Sequence, residues 1–262
     1  MPKFAANLSM LFNEVDFLER FKMAAQAGFK GVEIQFPYSW ERDTLRAKLN
    51  ENGLQQVLFN MPPGDWKSGE RGIACLPNRI DEFKRGVDLA IEYAMALNCP
   101  QINCLAGIAP QHIEDGVLRD NLTNNLAYAA DQLSQQGIGL LVEAINSKID
   151  IPGFFLDTSQ KVLEVIKDTG SSNIKLQYDC YHMQIMEGDL VRTITNLLQF
   201  IGHIQISDNP GRHEPGSGEI HFEFIFKKLD DLAYPGWVSA EYLPSPITNG
   251  KTDTLKSLDW MF

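Results

Sequence analysis

The chain has 262 residues, 44% of them hydrophobic and 22% charged, the proportions of an ordinary globular protein large enough for a sizeable core. Its net charge of −11 argues against DNA or RNA as the main partner. Cys75, Cys99, Cys104 and Cys180 form no CxxC pair or disulfide framework, no N-terminal apolar run leads to a cleavage site, and no segment approaches the roughly 20 apolar residues of a membrane span. The expectation is a cytoplasmic chain with reduced thiols and no membrane partner.

Strand-like and helix-like segments alternate from one end to the other, with no linker or low-complexity tract between them. A β-type run at 3–10 ("KFAANLSM") precedes the amphipathic "VDFLERFKMAAQAGF", where Phe17, Phe21, Met23 and Ala24 recur at helical spacing and Gly28 marks the stop. A second run at 31–37 ("GVEIQFP") is followed by the helical "RDTLRAKLNENG", and a third spans 54–62. The next connection, "MPPGDWKSGERGIACLP" (61–77), is unusually long and suggests a lid, although its Trp66 suits a packing anchor equally well. The helical "RIDEFKRGVDLAIEYAMALN" stops ahead of Pro100 and leads into a strand at 101–107. Further runs at 138–145, 174–179, 203–208 and 237–243 alternate with four more helical patterns, around 118–137, 158–170, 190–202 and 222–236.

Eight strands and about eight helices in strict alternation predict an α/β fold, a (β/α)8 TIM barrel forming one domain over 1–262. An open doubly wound sheet is the alternative, weakened because no GxGxxG follows the first strand.

Chemistry in a barrel sits where strands end. The last four runs each carry a polar oxygen donor in an otherwise apolar strand: Glu143 in "LLVEAIN", Asp179 in "LQYDCYH", Gln205 in "HIQISD" and Glu241 in "VSAEY". Neighbouring strands would converge them near the barrel mouth. Three carboxylates and an amide carbonyl suit a hard divalent cation such as Mg²⁺ or Mn²⁺, and without one the carboxylates repel each other. A metal-free, hydrogen-bonded polar layer is the plain alternative. His182 is placed where the loop leaves the sixth strand, as a donor to substrate or a turn cap. Arg212, in the Gly- and Pro-rich "DNPGRHEPGSGE", is a candidate clamp for a carboxylate or phosphate, or a surface arginine in a flexible loop.

With these motifs in hand, the chain resembles the hydroxypyruvate isomerases of the xylose-isomerase-like barrel superfamily. The likeness runs through "FAANLSMLF", "GDWKSGERGIACLP", "INCLAG", "VEAIN", "QYDCYHMQ", "RHEPGSGEI" and "WVSAEY", nearly the whole chain. It implies a metal bound by Glu143, Asp179, Gln205 and Glu241. It also implies Glu143 and Glu241 as proton carriers, with His182 and Arg212 holding substrate. Related sugar epimerases carry a histidine where this chain has Gln205 and a substrate-binding acid shortly after the first ligand, where "EAINSKID" offers Ile149 and Asp150. Both departures point toward a small-molecule oxo acid as substrate. Isomerisation of hydroxypyruvate to tartronate semialdehyde is the expected reaction. A 2-oxo-tetronate isomerase or related epimerase, a metal-dependent endonuclease on the same barrel, and a non-catalytic sugar-acid binding module are its rivals. A homo-oligomer is compatible with the sequence.

Overall fold

The computed structural model describes residues 1–247, 250 and 252–261. Eight parallel strands close into a barrel in chain order: β1 (Lys3–Asn7), β2 (Gly31–Ile34), β3 (Gln55–Asn60), β4 (Gln101–Cys104), β5 (Gly139–Glu143), β6 (Ile174–Asp179), β7 (Ile201–Ile206) and β8 (Trp237–Ala240). Around it lie α1 (Arg20–Gln26), α2 (Arg42–Asn52), α3 (Ile80–Leu97), α4 (Asp115–Ser134), α5 (Ser159–Thr169), α6 (Cys180–Met186), α7 (Leu190–Leu197) and α8 (Phe222–Asp231). The expected (β/α)8 barrel is therefore the fold. No helix among the described residues is long and apolar enough to cross a membrane, and the four cysteines are buried and unpaired.

The helices form for local reasons. In α5, Thr158 accepts from Lys161 N at 3.3 Å as the N-cap, and Val162 and Val165 turn one face inward. The main core lies between strands and helices, where Phe4 meets Phe226 and Trp260 edge-to-face, each at 5.0 Å.

Two expectations about the elements need correction. Alternation is not strict: α6 and α7 both lie between β6 and β7, and β8 is followed by a 3-10 segment, Lys256–Met261, whose Trp260 packs on Phe4. Most strands are also shorter than their apolar runs. Leu105, Ala106, Ile145 and Tyr242 lie beyond the ladders yet are buried, because the loops at the barrel mouth are themselves covered. Apolarity thus reports burial there rather than pairing. β7 is instead shifted, starting two residues earlier than expected, since α7 ends at Leu197.

Candidate active site

Three carboxylates gather at the C-terminal rim. Glu143 ends β5, Asp179 ends β6, and Glu241 follows the last residue of β8, its N–H donating to Ile206 O at 3.1 Å. Gln205 pairs with Asp179 across the β6–β7 ladder. All four are buried, with Asp179 only 1% exposed.

The stretch after Asp179 is a helix rather than the expected loop. Asp179 Oδ1 caps α6, accepting from Tyr181 N at 2.8 Å and His182 N at 3.5 Å. Its other oxygen, Oδ2, is buried with no hydrogen-bond partner. The carboxylate therefore caps a helix and also aims an unsatisfied acceptor into the site. Buried orphans of this kind are rare and usually mark an ion, a water or a ligand.

His182 follows on the first turn of α6. Asn146 Oδ1 accepts from Ile149 N at 3.1 Å and Asp150 N at 2.9 Å, which orients its amide so that Nδ2 faces His182 Nδ1 at 2.8 Å. Nδ1 is then the acceptor and Nε2 carries the proton. That Nε2 lies 3.6 Å from Asp179 Oδ2 and 4.0 Å from Glu143 Oε1. Burial, with Arg212 close by, holds the imidazole well below its usual pKa, so it is a neutral donor. Glu143, Asp179 and His182 each offer a ligand atom within 4.8 Å of the others.

Arg212 is not a loose surface residue. Its Nη2 donates to Glu241 Oε2 at 2.9 Å and lies 3.9 Å from Asp179 Oδ2, while Nη1 reaches Asp150 Oδ2 at 3.2 Å. Tyr181 supports this arrangement: its ring lies 5.2 Å from the guanidinium and its hydroxyl donates to Asp150 Oδ1 at 3.1 Å. The loop is organised by Asp208, which is fully buried. Its carboxylate accepts from Asn209 N, Gly216 N, Gly218 N and Ile220 N at 2.9–3.0 Å.

The carboxylates crowd one another. Burial pushes Glu241 up to about 7, with Arg212 opposing and Glu33 and Asp179 adding to the rise. Burial likewise takes Asp179 up to about 6 against the pull of Arg212. Glu143 lies well above the usual carboxylate range through burial and the charges of Glu241 and Asp179. Burial acts to lower Arg212, and Glu241, Asp179, Asp150 and Glu143 together outweigh it and raise it.

A second polar layer lies deeper in the barrel, and the sequence reading passed over it. Glu33 accepts from Asn7 Nδ2 at 2.8 Å, Gln205 Nε2 at 2.8 Å and His203 Nε2 at 3.0 Å. Burial works to raise its pKa, and these bonds together hold it below the usual range. Gln205 Oε1 accepts from Gln177 Nε2 at 2.6 Å, so both ends of the expected ligand are engaged within this layer. Asn7 and Gln35 also donate to Glu241, at 2.9 and 3.1 Å, and Asn103 to Glu143 at 3.0 Å. Glu33 in "GVEIQFP" carried the same signal as the rim acids, a charge inside an apolar run.

Above the rim lies a cavity of about 380 Å³, lined by Glu143, His182, Arg212 and Glu241 together with Asp150, Trp66 and Arg71. The 61–77 connection thus does stand over the site. Trp66 also packs at 5.0 Å on Phe36, the anchoring role its alternative reading assigned.

Residues 21–262 match the family model described as xylose isomerase-like TIM barrel. The chain is 49% identical to the hydroxypyruvate isomerase of Escherichia coli, covering 100% of this chain and 98% of that one. It is 44% identical to the 2-oxo-tetronate isomerase of Cupriavidus necator, covering 98% of each. A solved structure from Brucella melitensis, described as an AP endonuclease of family 2, superposes with a TM-score of 0.95 at 42% identity, covering 100% of this chain and 98% of that one.

Proposed function

The chain belongs to the xylose isomerase-like TIM barrel family, and we propose that it is an isomerase interconverting hydroxypyruvate and tartronate semialdehyde by proton transfer through an enediolate. The observation that carries this reading is the placement of Glu143 and Glu241 on one small cavity, both with raised proton affinity. A general base or acid works best when its pKa lies near the operating pH, and Glu241 at about 7 meets that condition.

The residues also fit a divalent metal. Asp179 Oδ2 is an orphaned buried acceptor, and Glu143 and His182 each offer a ligand atom within 4.8 Å of Asp179 and of each other. Glu143, Asp179 and Glu241 would hold Mg²⁺ or Mn²⁺, whose chemistry when bound is to stabilise negative charge on substrate oxygen; Gln205, the fourth ligand the resemblance implies, would join them only by giving up the hydrogen bond its Oε1 accepts from Gln177. His182 keeps its Nε2–H for a substrate oxygen, because Asn146 occupies Nδ1. Arg212, fixed beside Glu241, presents a second donor, this one cationic, to the same space. One of Glu143 and Glu241 takes the proton from the hydroxymethyl carbon. The other returns a proton to the neighbouring carbon, and the hydroxyl proton passes between the two oxygens to leave an aldehyde.

A 2-oxo-tetronate is the second substrate reading, supported by the 44% identical relative. The endonuclease description of the Brucella protein finds no support in a chain of net charge −11 whose cavity is walled by carboxylates.

The test is proton exchange in D₂O followed by NMR, on chelator-stripped protein with and without Mn²⁺ or Mg²⁺. Metal-dependent deuterium incorporation into hydroxypyruvate with appearance of tartronate semialdehyde is expected. Exchange only into a 2-oxo-tetronate would move the substrate to the longer acid. No exchange with either acid would leave a binding module as the better account.

A further inference from the structure

The cavity has two arginines, and their surroundings differ. Arg212 is already engaged by carboxylates, with Glu241 at 2.9 Å, Asp150 at 3.2 Å and Asp179 at 3.9 Å. Arg71, on the 61–77 connection, donates through Nη1 alone, to the backbone carbonyls of Trp66 at 3.0 Å and Glu70 at 2.8 Å. Among the described residues no carboxylate lies within ion-pair distance of it. The neighbouring acid Glu70 does not neutralise Arg71, because its carboxylate is bound by Arg79 at 2.6 Å.

We propose that Arg71 recognises the carboxylate end of the substrate and thereby sets the preference for oxo acids over neutral sugars; this rests on the isomerase reading above. An anion entering this cavity meets the walls of Glu143, Asp150 and Glu241, and a guanidinium already shared among three acids offers it little net attraction. Arg71 lines the same cavity with its Nε and Nη2 donors unengaged by protein acceptors among the described residues. Those two groups form the fork that accepts a carboxylate edge-on.

The fork is also held in place. Its guanidinium carbon lies over the Trp66 ring, 4.0 Å from the ring centre, and Trp66 rests on Phe36. The backbone beside it is pinned: Gly72 N donates to Pro63 O at 2.9 Å and Cys75 N to Ala106 O at 2.8 Å. Gly72 itself has φ +104°, and a Cβ there would come within 2.3 Å of Leu105 O, so the connection can lie this close to the barrel only with glycine at that position. A preorganised donor loses little entropy when the anion arrives.

The experiment compares native, Arg71→Met and Arg71→Lys proteins, all with Mn²⁺, on hydroxypyruvate and on dihydroxyacetone. The second substrate replaces the carboxylate with a neutral hydroxymethyl group. Calorimetric binding of glycerate, which cannot isomerise, is measured in parallel. Arg71→Met is expected to reduce the ratio of kcat/KM for acid over neutral substrate by about 10- to 100-fold, chiefly through KM, and to weaken glycerate binding by a similar factor. Arg71→Lys, which keeps charge but loses the fork, should recover part of both. Arg212→Met should instead lower turnover of the two substrates together. A ratio within twofold of native in Arg71→Met, or equal losses on both substrates, overturns the proposal. If native protein isomerises neither compound, the isomerase reading fails and the glycerate arm decides the role of Arg71. Native protein that also fails to bind glycerate overturns both.

Discussion

Glu241 receives N–H donors from Asn7, Gln35 and Arg212 and still holds its proton to about 7, because burial outweighs them. A residue so placed can lose and regain a proton near neutral pH, which an exposed glutamate at its ordinary pKa does not do. Glu241→Gln keeps the shape and removes the titration. Circular dichroism and thermal melting should remain close to native while kcat falls by about 10²- to 10⁴-fold. A kcat within a few-fold of native would remove Glu241 from the proton-carrying role. At this scale much of the site was legible. Glu143, Asp179, Gln205 and Glu241 stood out as polar residues in apolar strands, and the structure brings all four to one end of the barrel. Glu33, His203 and Gln177 were equally available to that argument. The partnerships that decide what each does, such as the Asn146 amide that sets the His182 proton, join residues 36 positions apart and leave no local mark.

Among the elements, the β7–α8 connection shows how one side chain can organise a loop. Asp208 satisfies four backbone N–H groups across twelve residues, and this network carries Arg212 at a φ of +54° to the rim. Such a backbone conformation is unfavourable outside glycine and persists when the surroundings impose it. Asp208→Ala would strand those donors. The barrel should survive, while hydrogen exchange accelerates at 209–220 and turnover falls with the loosened Arg212. Unchanged exchange in that segment would show the loop to be held by other contacts. The sequence marked this loop as rich in glycine and proline, and a flexible loop was the plain alternative to a clamp at Arg212. It is instead built around a buried carboxylate, a role that chain composition does not distinguish from a strand-end aspartate. The helix at 180–186 stands where a loop was expected for a related reason: the cap that starts it is the same Asp179 that ends the strand and faces the site.

For the whole molecule, the crowded acids tie stability to pH and to metal. Asp179 at about 6 and Glu241 at about 7 bind protons more tightly in the folded chain than when unfolded. A raised pKa contributes stability that is complete below the unfolded carboxylate range and is lost as pH rises through the folded values. The lowered His182 works the other way, losing stability as pH falls through the ordinary imidazole range, but it is one group against three raised acids, so chelator-treated protein should melt at a lower temperature at pH 8 than at pH 5. A cation competes with those same protons, so Mn²⁺ should raise the Tm more at pH 8 than at pH 5. At 100-fold excess over its Kd, ligand binding contributes about 2.7 kcal/mol, or about 5–10 °C for a chain of this size. A shift in Tm that is absent, or larger at pH 5, would mean that these carboxylates are not the metal's ligands.

The alternation of eight apolar runs with amphipathic segments by itself determined a parallel α/β fold and favoured a closed barrel over an open doubly wound sheet, since parallel strands covered on both faces and joined by right-handed crossovers have few ways to pack. It also determined which strand ends carry oxygen donors, because a charge in a buried strand is visible without coordinates. Tertiary structure alone decided how those donors are engaged: that Gln205 is held between Gln177 and Glu33, that Arg212 is surrounded by acids, and that Arg71 is left facing the cavity. Hydrogen bonds and charge pairing fall off within a few ångströms, and residues far apart in the chain come that close only once the barrel has closed.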